Sequence, residues 1–400
     1  MSTENEAVLP LFTWFHQHPE IGHTEFATTQ KIKETLQGMG LEPQPLGALP
    51  TGTFALIQGK YPGKTLLLRS DIDALPVAEK AEVSYPSLNP GKMHACGHDI
   101  HMTTVLTAAR LLAERKEQLH GTVFLAFQPA EEVAGGAVEL LDQGVTKGCT
   151  EFVGLHSEPL LPVGTLGITA GCVMASTDTF RITLTGAGTH AAAPHLGNNP
   201  IPVLFGLGRE LMLFAGQKVS PVHNYVLSIT HVEAGEAWNV IPDTAMLEGT
   251  IRCEYPEDRE TLKKALYRLV DSYAEAHQVS ADIYWHDGAP AVLNDEEMVQ
   301  PATELARKEG FQVKALEMAM TGDDFSHYKE YAKRYQVSDP ELQPQTKPLA
   351  LYVKVGTGLG APLHNSHFKA DPAAIGPAAR FLADFITERL NGEVTAICYG

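Results

Sequence analysis

The 400-residue chain has few cysteines: Cys96, Cys149, Cys172, Cys253 and Cys398 are odd in number and irregularly spaced. That scarcity argues against a disulfide framework and predicts reduced thiols, leaving Cys96 free to bind metal. Basic residues are also short, 30 Lys and Arg against 48 Asp and Glu, for a formal charge of -18. So acidic a chain repels polyphosphates and anionic lipid, which excludes nucleic acid and membrane surfaces as expected partners. No apolar run reaches the roughly eighteen residues of a spanning helix. Met1 to Ala7 is polar and acidic rather than a basic start to an apolar leader, so the expectation is a cytoplasmic protein. What remains, 44% apolar and 20% charged residues, is globular and long enough for two domains.

The first 175 residues alternate strand and helix signals. Residues 65–69, 121–127 and 151–155 read as buried strands, while 100–119, with Asp99 as its cap, and 135–143 read as helices. The order predicts an α/β fold, a mainly parallel sheet with helices on both faces, and such sheets bind ligands at the carboxyl ends of their strands. Residues 349–355 add another buried strand, 331–348 a loop, and 372–390 a closing helix. Between them the texture changes to alternating strands (179–185, 245–252) and amphipathic helices (202–214, 258–278), which predicts a smaller α+β insertion. The expected domains are therefore a discontinuous catalytic domain, 1–177 with 288–400, and an inserted domain, 178–287.

Chemistry-bearing residues gather at the predicted strand ends. Cys96 and His98 lie in Met93-His94-Ala95-Cys96-Gly97-His98-Asp99, and a thiol with an imidazole is a palette for zinc and its first-row neighbours. Glu131-Glu132 follows one strand, His156 another and His364 a third. Adjacent carboxylates on extended backbone point apart, so one can ligate metal while the other serves as a base. Five candidate ligands, Cys96, His98, Glu132, His156 and His364, exceed the needs of one catalytic zinc, which makes two metals the expectation and water their nucleophile. No Gly-x-Ser-x-Gly elbow competes. Gly186-Ala187-Gly188-Thr189-His190-Ala191 matches a dinucleotide-binding turn, but Pro194 falls where that helix would need donors and the preceding strand alternates, so the oxidoreductase reading is set aside.

These segments resemble the dinuclear-metal amidohydrolases that include hippurate hydrolase, bacterial aminoacylases, plant auxin-conjugate hydrolases and N-acetyldiaminopimelate deacetylase. The likeness runs through FHQHPEIGHTE (15–25), RSDIDALPV (69–77), MHACGHD (93–99), FQPAEE (127–132), GLHSEP (154–159), HAAAPHLGNNP (190–200), WNVIPDTAMLEGTIR (238–252), MTGDDFSHY (320–328) and PLHNSHF (362–368). It implies the same five ligands and Glu131 as general acid/base, and prefers His364 over its rival His367. It further implies that the insertion is a lid used for homodimer contacts, with His190 as an oxyanion stabiliser and Asn239 and Arg252 around the substrate. Asp73 and Asp99 are expected to orient a ligand histidine or the Cys96 loop. Ser157-Glu158 and Met320-Thr321-Gly322 depart from the commoner pattern, the latter toward the diaminopimelate branch.

The expected activity is hydrolysis of the amide bond of a small N-acyl-L-amino acid, by water activated at two divalent ions. Manganese or zinc is expected, with cobalt or nickel also compatible. The alternative is a dipeptidase or carboxypeptidase using the same site.

Overall fold

The computed structural model describes residues 3–133, 135–338 and 347–397, so Cys398 lies outside the described residues. The chain forms two compact units, Met1–Gly171 with Leu293–Glu317 and Asp324–Gly400, and Cys172–Val292 with Met318–Asp323. Residues 172–175 and 318–319 belong together because Ala319 donates to the carbonyl of Val173 and accepts from Ala175.

The first unit is built on a seven-stranded sheet. In chain order it uses β1 (Thr53–Gln58), β2 (Tyr61–Asp71), β3 (His120–Gln128), β4 (Cys149–Glu158) and β5 (Thr165–Gly167), then Gln312–Lys314 and Leu349–Gly356. Their spatial order is β1, β3, β2, β4, Leu349–Gly356, β5, Gln312–Lys314. The central four, β3, β2, β4 and Leu349–Gly356, run parallel, while β1 and β5 pair antiparallel with their neighbours β3 and Leu349–Gly356. Continuous burial follows from two covered faces. Leu66, Leu68, Val123, Leu125, Val153 and Leu351 pack with helices α3 (His98–Glu114) and Ile375–Ile397, while on the opposite face Phe152 and Tyr352 meet Tyr328 and Phe325. Each fully buried side chain of this size contributes about 1.5–3 kcal/mol.

Two local expectations change. Helix α3 begins at His98, with Gly97 in the left-handed region at φ 84 in the capping position, so Asp99 lies in the first turn rather than before it. Residues 331–338 belong to the helix Ser326–Ser338 instead of a loop, because Tyr328 and Ala332 supply a buried stripe that pins it; residues 339–346 lie outside the described residues. No helix among the described residues is long and apolar enough to cross a membrane.

Asp99 is held by His16 of helix α1 (Thr3–Gln17), a buried imidazole whose Nδ1 meets Asp99 Oδ2 at 2.7 Å and whose Nε2 meets Glu79 Oε1 at 2.9 Å. Burial pushes the ring's pKa down, but the two carboxylates outweigh it and lift the value from 6.5 to about 9. A raised folded-state pKa gives a stabilisation that is whole below pH 6.5 and is lost as pH climbs through 9. It is worth on the order of 3 kcal/mol. The melting temperature is therefore expected to drop between pH 7 and 9.5 in the parent and to flatten there in His16→Gln. Parallel melting profiles would sink this assignment.

The second unit is a four-stranded antiparallel sheet ordered Ser280–Asp287, Asp178–Thr185, Thr244–Cys253, Tyr225–Ala234. Its alternation buries Phe180, Ile182, Leu184, Leu247 and Ile251 beneath the helices Pro200–Phe214 and Pro256–Ala276, and leaves Arg181 and Glu248 on the open face. Asn199 caps the first helix, its side chain accepting from Ile201 N at 3.0 Å.

Candidate metal centre

Parallel register brings the carboxyl ends of the central strands to one edge of the first unit's sheet. Asp71, the last residue of β2, pairs with Gln128, the last of β3, and His156 lies two residues from the end of β4. Cys96 and Gly97 sit on that edge because Ser157 Oγ donates to the Cys96 carbonyl at 2.7 Å; a Cβ on Gly97 would lie 2.3 Å from the same oxygen. Two other residues here take positive φ without being glycine, Ala130 at 58° and His364 at 62°. Each costs about 1–3 kcal/mol and persists only where neighbours impose it. Ala130 N donates to Glu25 and His364 N to the Ala95 carbonyl, both at 2.8 Å.

Hydrogen bonds set which ring nitrogen each histidine offers. His98 Nδ1 donates to the Asp73 carbonyl at 2.8 Å, leaving the Nε2 lone pair 3.8 Å from both Glu132 Oε1 and Asp71 Oδ2. His156 Nδ1 donates to the Ser157 carbonyl at 2.7 Å, leaving Nε2 3.4 Å from Cys96 Sγ. His364 Nε2 lies 3.5 Å from Glu132 Oε1. His101 is arranged differently: Nδ1 donates to Asp71 at 2.7 Å and Nε2 accepts from Ser157 N at 2.7 Å, so both nitrogens are used.

The cluster fits divalent cations. The buried His98 Nε2 and Glu132 Oε1 have no hydrogen-bond partner, an expensive state for polar atoms unless something else meets them. Cys96, His98 and His156 can hold one ion, while Cys96, Glu132 and His364, or His98, Glu131 and Glu132, can hold another. Mixed sulfur, nitrogen and oxygen donors suit zinc and its first-row neighbours. Burial pushes the Cys96 thiol well up and His156 well down; a cation beside them makes a ligand of the first and suits the neutral second. For His98 burial acts downward but the Asp71 carboxylate outweighs it and raises the ring's pKa. His364 is raised by its contact with Glu132. His367 is exposed and joins no such group among the described residues. Asp73 also takes Glu132 N on Oδ2 at 3.0 Å, whereas the Asp99 carboxylate binds His16 and its own neighbour Ile100 N.

In the second unit, His190 pairs across a two-residue ladder with Val240, and Ala191 N donates to the Asn239 carbonyl, so His190 and Asn239 line one open cavity of about 410 Å³. Arg252 lies near the far end of the strand Thr244–Cys253, about 26 Å along it at the usual rise. Gly186-Ala187-Gly188 enters the short strand Thr189–His190 rather than a helix, and Gly188 N donates to Asp243 at 2.7 Å, so no dinucleotide turn forms.

The profile of peptidase family M20/M25/M40 matches residues 67–388. The chain belongs to this family. Its relatives include a Bacillus subtilis N-acetyl-L-cysteine deacetylase, 38% identical over 83% of this chain and 79% of that protein. A Saccharolobus solfataricus thermostable carboxypeptidase is 33% identical over 79% of this chain and 81% of its own. Among solved structures, a Bacillus subtilis protein described as a dinuclear metal binding peptidase of the M20 family superposes with a TM-score of 0.84 at 33% identity, covering 97% of this chain and 98% of that one. As an M20-family member the chain is a hydrolase of amide bonds.

Several residues that build this M20 site escape a reading of motifs. Arg69 is fully buried, with ion pairs to Asp71 at 2.5 Å and Asp324 at 2.6 Å and a bond to Gln128 Oε1 at 3.0 Å. Asp71 is thereby anchored beneath His98 and His101; burial would raise its pKa, but His98 and Arg69 hold it well below the carboxylate range. Glu25 carries no metal-type signal at all. An arginine inside an otherwise apolar strand was the one available hint, because a buried guanidinium requires carboxylates.

Proposed function

We propose that this M20-family chain hydrolyses the amide bond of N-acyl-L-amino acids, releasing a carboxylic acid and a free amino acid. In this reading Cys96, His98, Glu132, His156 and His364 hold two divalent ions, manganese or zinc, and Glu131 is the general base. The observation that carries it is the convergence of two unpartnered buried ligand atoms, His98 Nε2 and Glu132 Oε1, on one sheet edge beside Glu131. The deacetylase named among the relatives supports the substrate class, and the dinuclear neighbour supports two ions.

Bound there, the ions supply the Lewis acidity that makes water a nucleophile near neutral pH. Glu131 accepts the water's proton as its oxygen adds to the acyl carbon, and returns it to the amine nitrogen as the C–N bond breaks. His190 donates to the carbonyl oxygen as negative charge develops there, and Asn239 lines the same cavity. Arg252 offers a planar guanidinium for the amino-acid carboxylate. Asp73 keeps His98 in its ligating tautomer and Glu132 in place. The second unit acts as a lid and joins two copies in a homodimer, and the enzyme works in the cytoplasm, where its thiols stay reduced.

A carboxypeptidase or dipeptidase activity at the same centre is the second reading, favoured by the carboxypeptidase relative. Metal-stripped protein reconstituted with manganese or zinc is to be assayed for amine release from N-acetyl and N-benzoyl amino acids, N-acetylcysteine and N-acetyldiaminopimelate among them, beside dipeptides. The expected result is metal-dependent cleavage with kcat/KM at least about tenfold higher for acyl amino acids, a preference within reach of one or two pocket contacts. The reverse order establishes the peptidase reading, and silence on both panels sinks the two together.

A further inference from the structure

Glu25 is a fully buried carboxylate with no part in the chemistry above. Its Oε1 accepts the backbone N–H of Ala130 at 2.8 Å and its Oε2 the hydroxyl of Thr51 at 2.9 Å. Thr51 is itself anchored next door, where Gly52 N donates to Thr29 at 2.8 Å. On the other side of Glu131, Asp73 Oδ2 accepts the Glu132 N–H at 3.0 Å. The peptide N–H groups flanking Glu131 are therefore each gripped by a carboxylate from a different part of the chain. Ala130 is held at φ 58, a conformation an unsupported alanine leaves readily. The approach of the Glu25 segment depends on Gly22, whose missing Cβ would stand 3.2 Å from Ala130 Cα and 3.3 Å from Asp73 Oδ2.

We propose that Glu25 is a positioning residue for the general base: by holding the Ala130 N–H it fixes the turn that aims the Glu131 carboxylate. The proposal rests on the reading of Glu131 as the base. A charged acceptor suits the task, because its bond to a backbone N–H is roughly twice as strong as a neutral one, and displacement of a catalytic group by about 1 Å can cost 10²-fold in rate.

The test compares metal-loaded Glu25→Ala, Glu25→Gln, Glu131→Gln and the Glu25→Ala/Glu131→Gln double variant. Glu25→Ala is expected to lower kcat by about 10- to 100-fold while KM stays within about twofold and divalent metal content is unchanged. Glu25→Gln keeps an oxygen for Ala130 N and a donor for Thr51, and is expected to recover kcat to within about fivefold of the parent. In the Glu131→Gln background, Glu25→Ala should add no further loss, since it acts through the residue already removed. A Glu25→Ala enzyme with parental kcat overturns the proposal, as does a loss that adds fully to that of Glu131→Gln or that follows a loss of metal. If Glu25→Ala does not fold, Glu25→Asp, which keeps the charge but withdraws it by one carbon, carries the same kcat test. An active Glu131→Gln refutes the base assignment and this proposal with it; an inactive Glu131→Gln beside a fully active Glu25→Ala refutes the positioning role alone.

Discussion

Glu131→Gln is expected to lose turnover by about 10²- to 10⁴-fold while binding substrate and metal as the parent does. The exchange keeps the size and shape of the side chain and removes only its ability to take a proton. In the proposed reaction that proton must leave the water as the oxygen attacks and must reach the amine nitrogen before it departs, so the same side chain is needed twice. Divalent content, read by elemental analysis, should be unchanged, because the five assigned ligands are untouched. An enzyme with Glu131→Gln and near-parental kcat would remove the base assignment; a loss of kcat accompanied by loss of metal would make Glu131 a ligand instead.

His98→Ala should be as damaging by a different route. His98 belongs to the groups built on Cys96 and His156 and on Glu131 and Glu132, so its removal weakens both candidate ion positions. Metal content is expected to fall from two ions per chain to one or none, with a drop in turnover of about 10³-fold or more. A physical signature accompanies the chemistry. Ions that bind only the folded chain raise its stability by about 2.7 kcal/mol at a hundredfold excess over the dissociation constant, so metal should raise the melting temperature of the stripped parent. That rise should shrink sharply in His98→Ala. An undiminished metal-induced rise together with full metal content would place the ions elsewhere.

The strands and the ligand types were legible because both are local properties. A run such as Leu66 to Leu68 can be nothing but buried, and Cys, His and paired Glu at strand ends announce a metal by their chemistry. The supports were not legible, since they come from distant chain. Arg69 meets Asp324 across 255 residues and Glu25 meets Ala130 across 105, and no spacing rule joins such pairs. Asp99 misled for a related reason: it has the composition of a cap, but Gly97, free to adopt the left-handed region, starts the helix one residue earlier and gives the aspartate to His16. Arg252 and His190 both sit on the inserted unit, yet nothing in their spacing tells that they lie toward opposite ends of it.

The strand Leu349–Gly356 lies between β4 and β5, which are consecutive in the chain and end by residue 167. A ribosome must therefore make nearly 190 further residues, by the numbering of these strands, before the centre of the sheet can be filled. Throughout that interval β4 presents an open edge of unpaired amide and carbonyl groups, the kind of edge that recruits strands from other chains. The nascent protein is thus most exposed to aggregation after its motifs have all but one been synthesised, and it depends on late strand insertion, or on a chaperone, to close the sheet that carries His156.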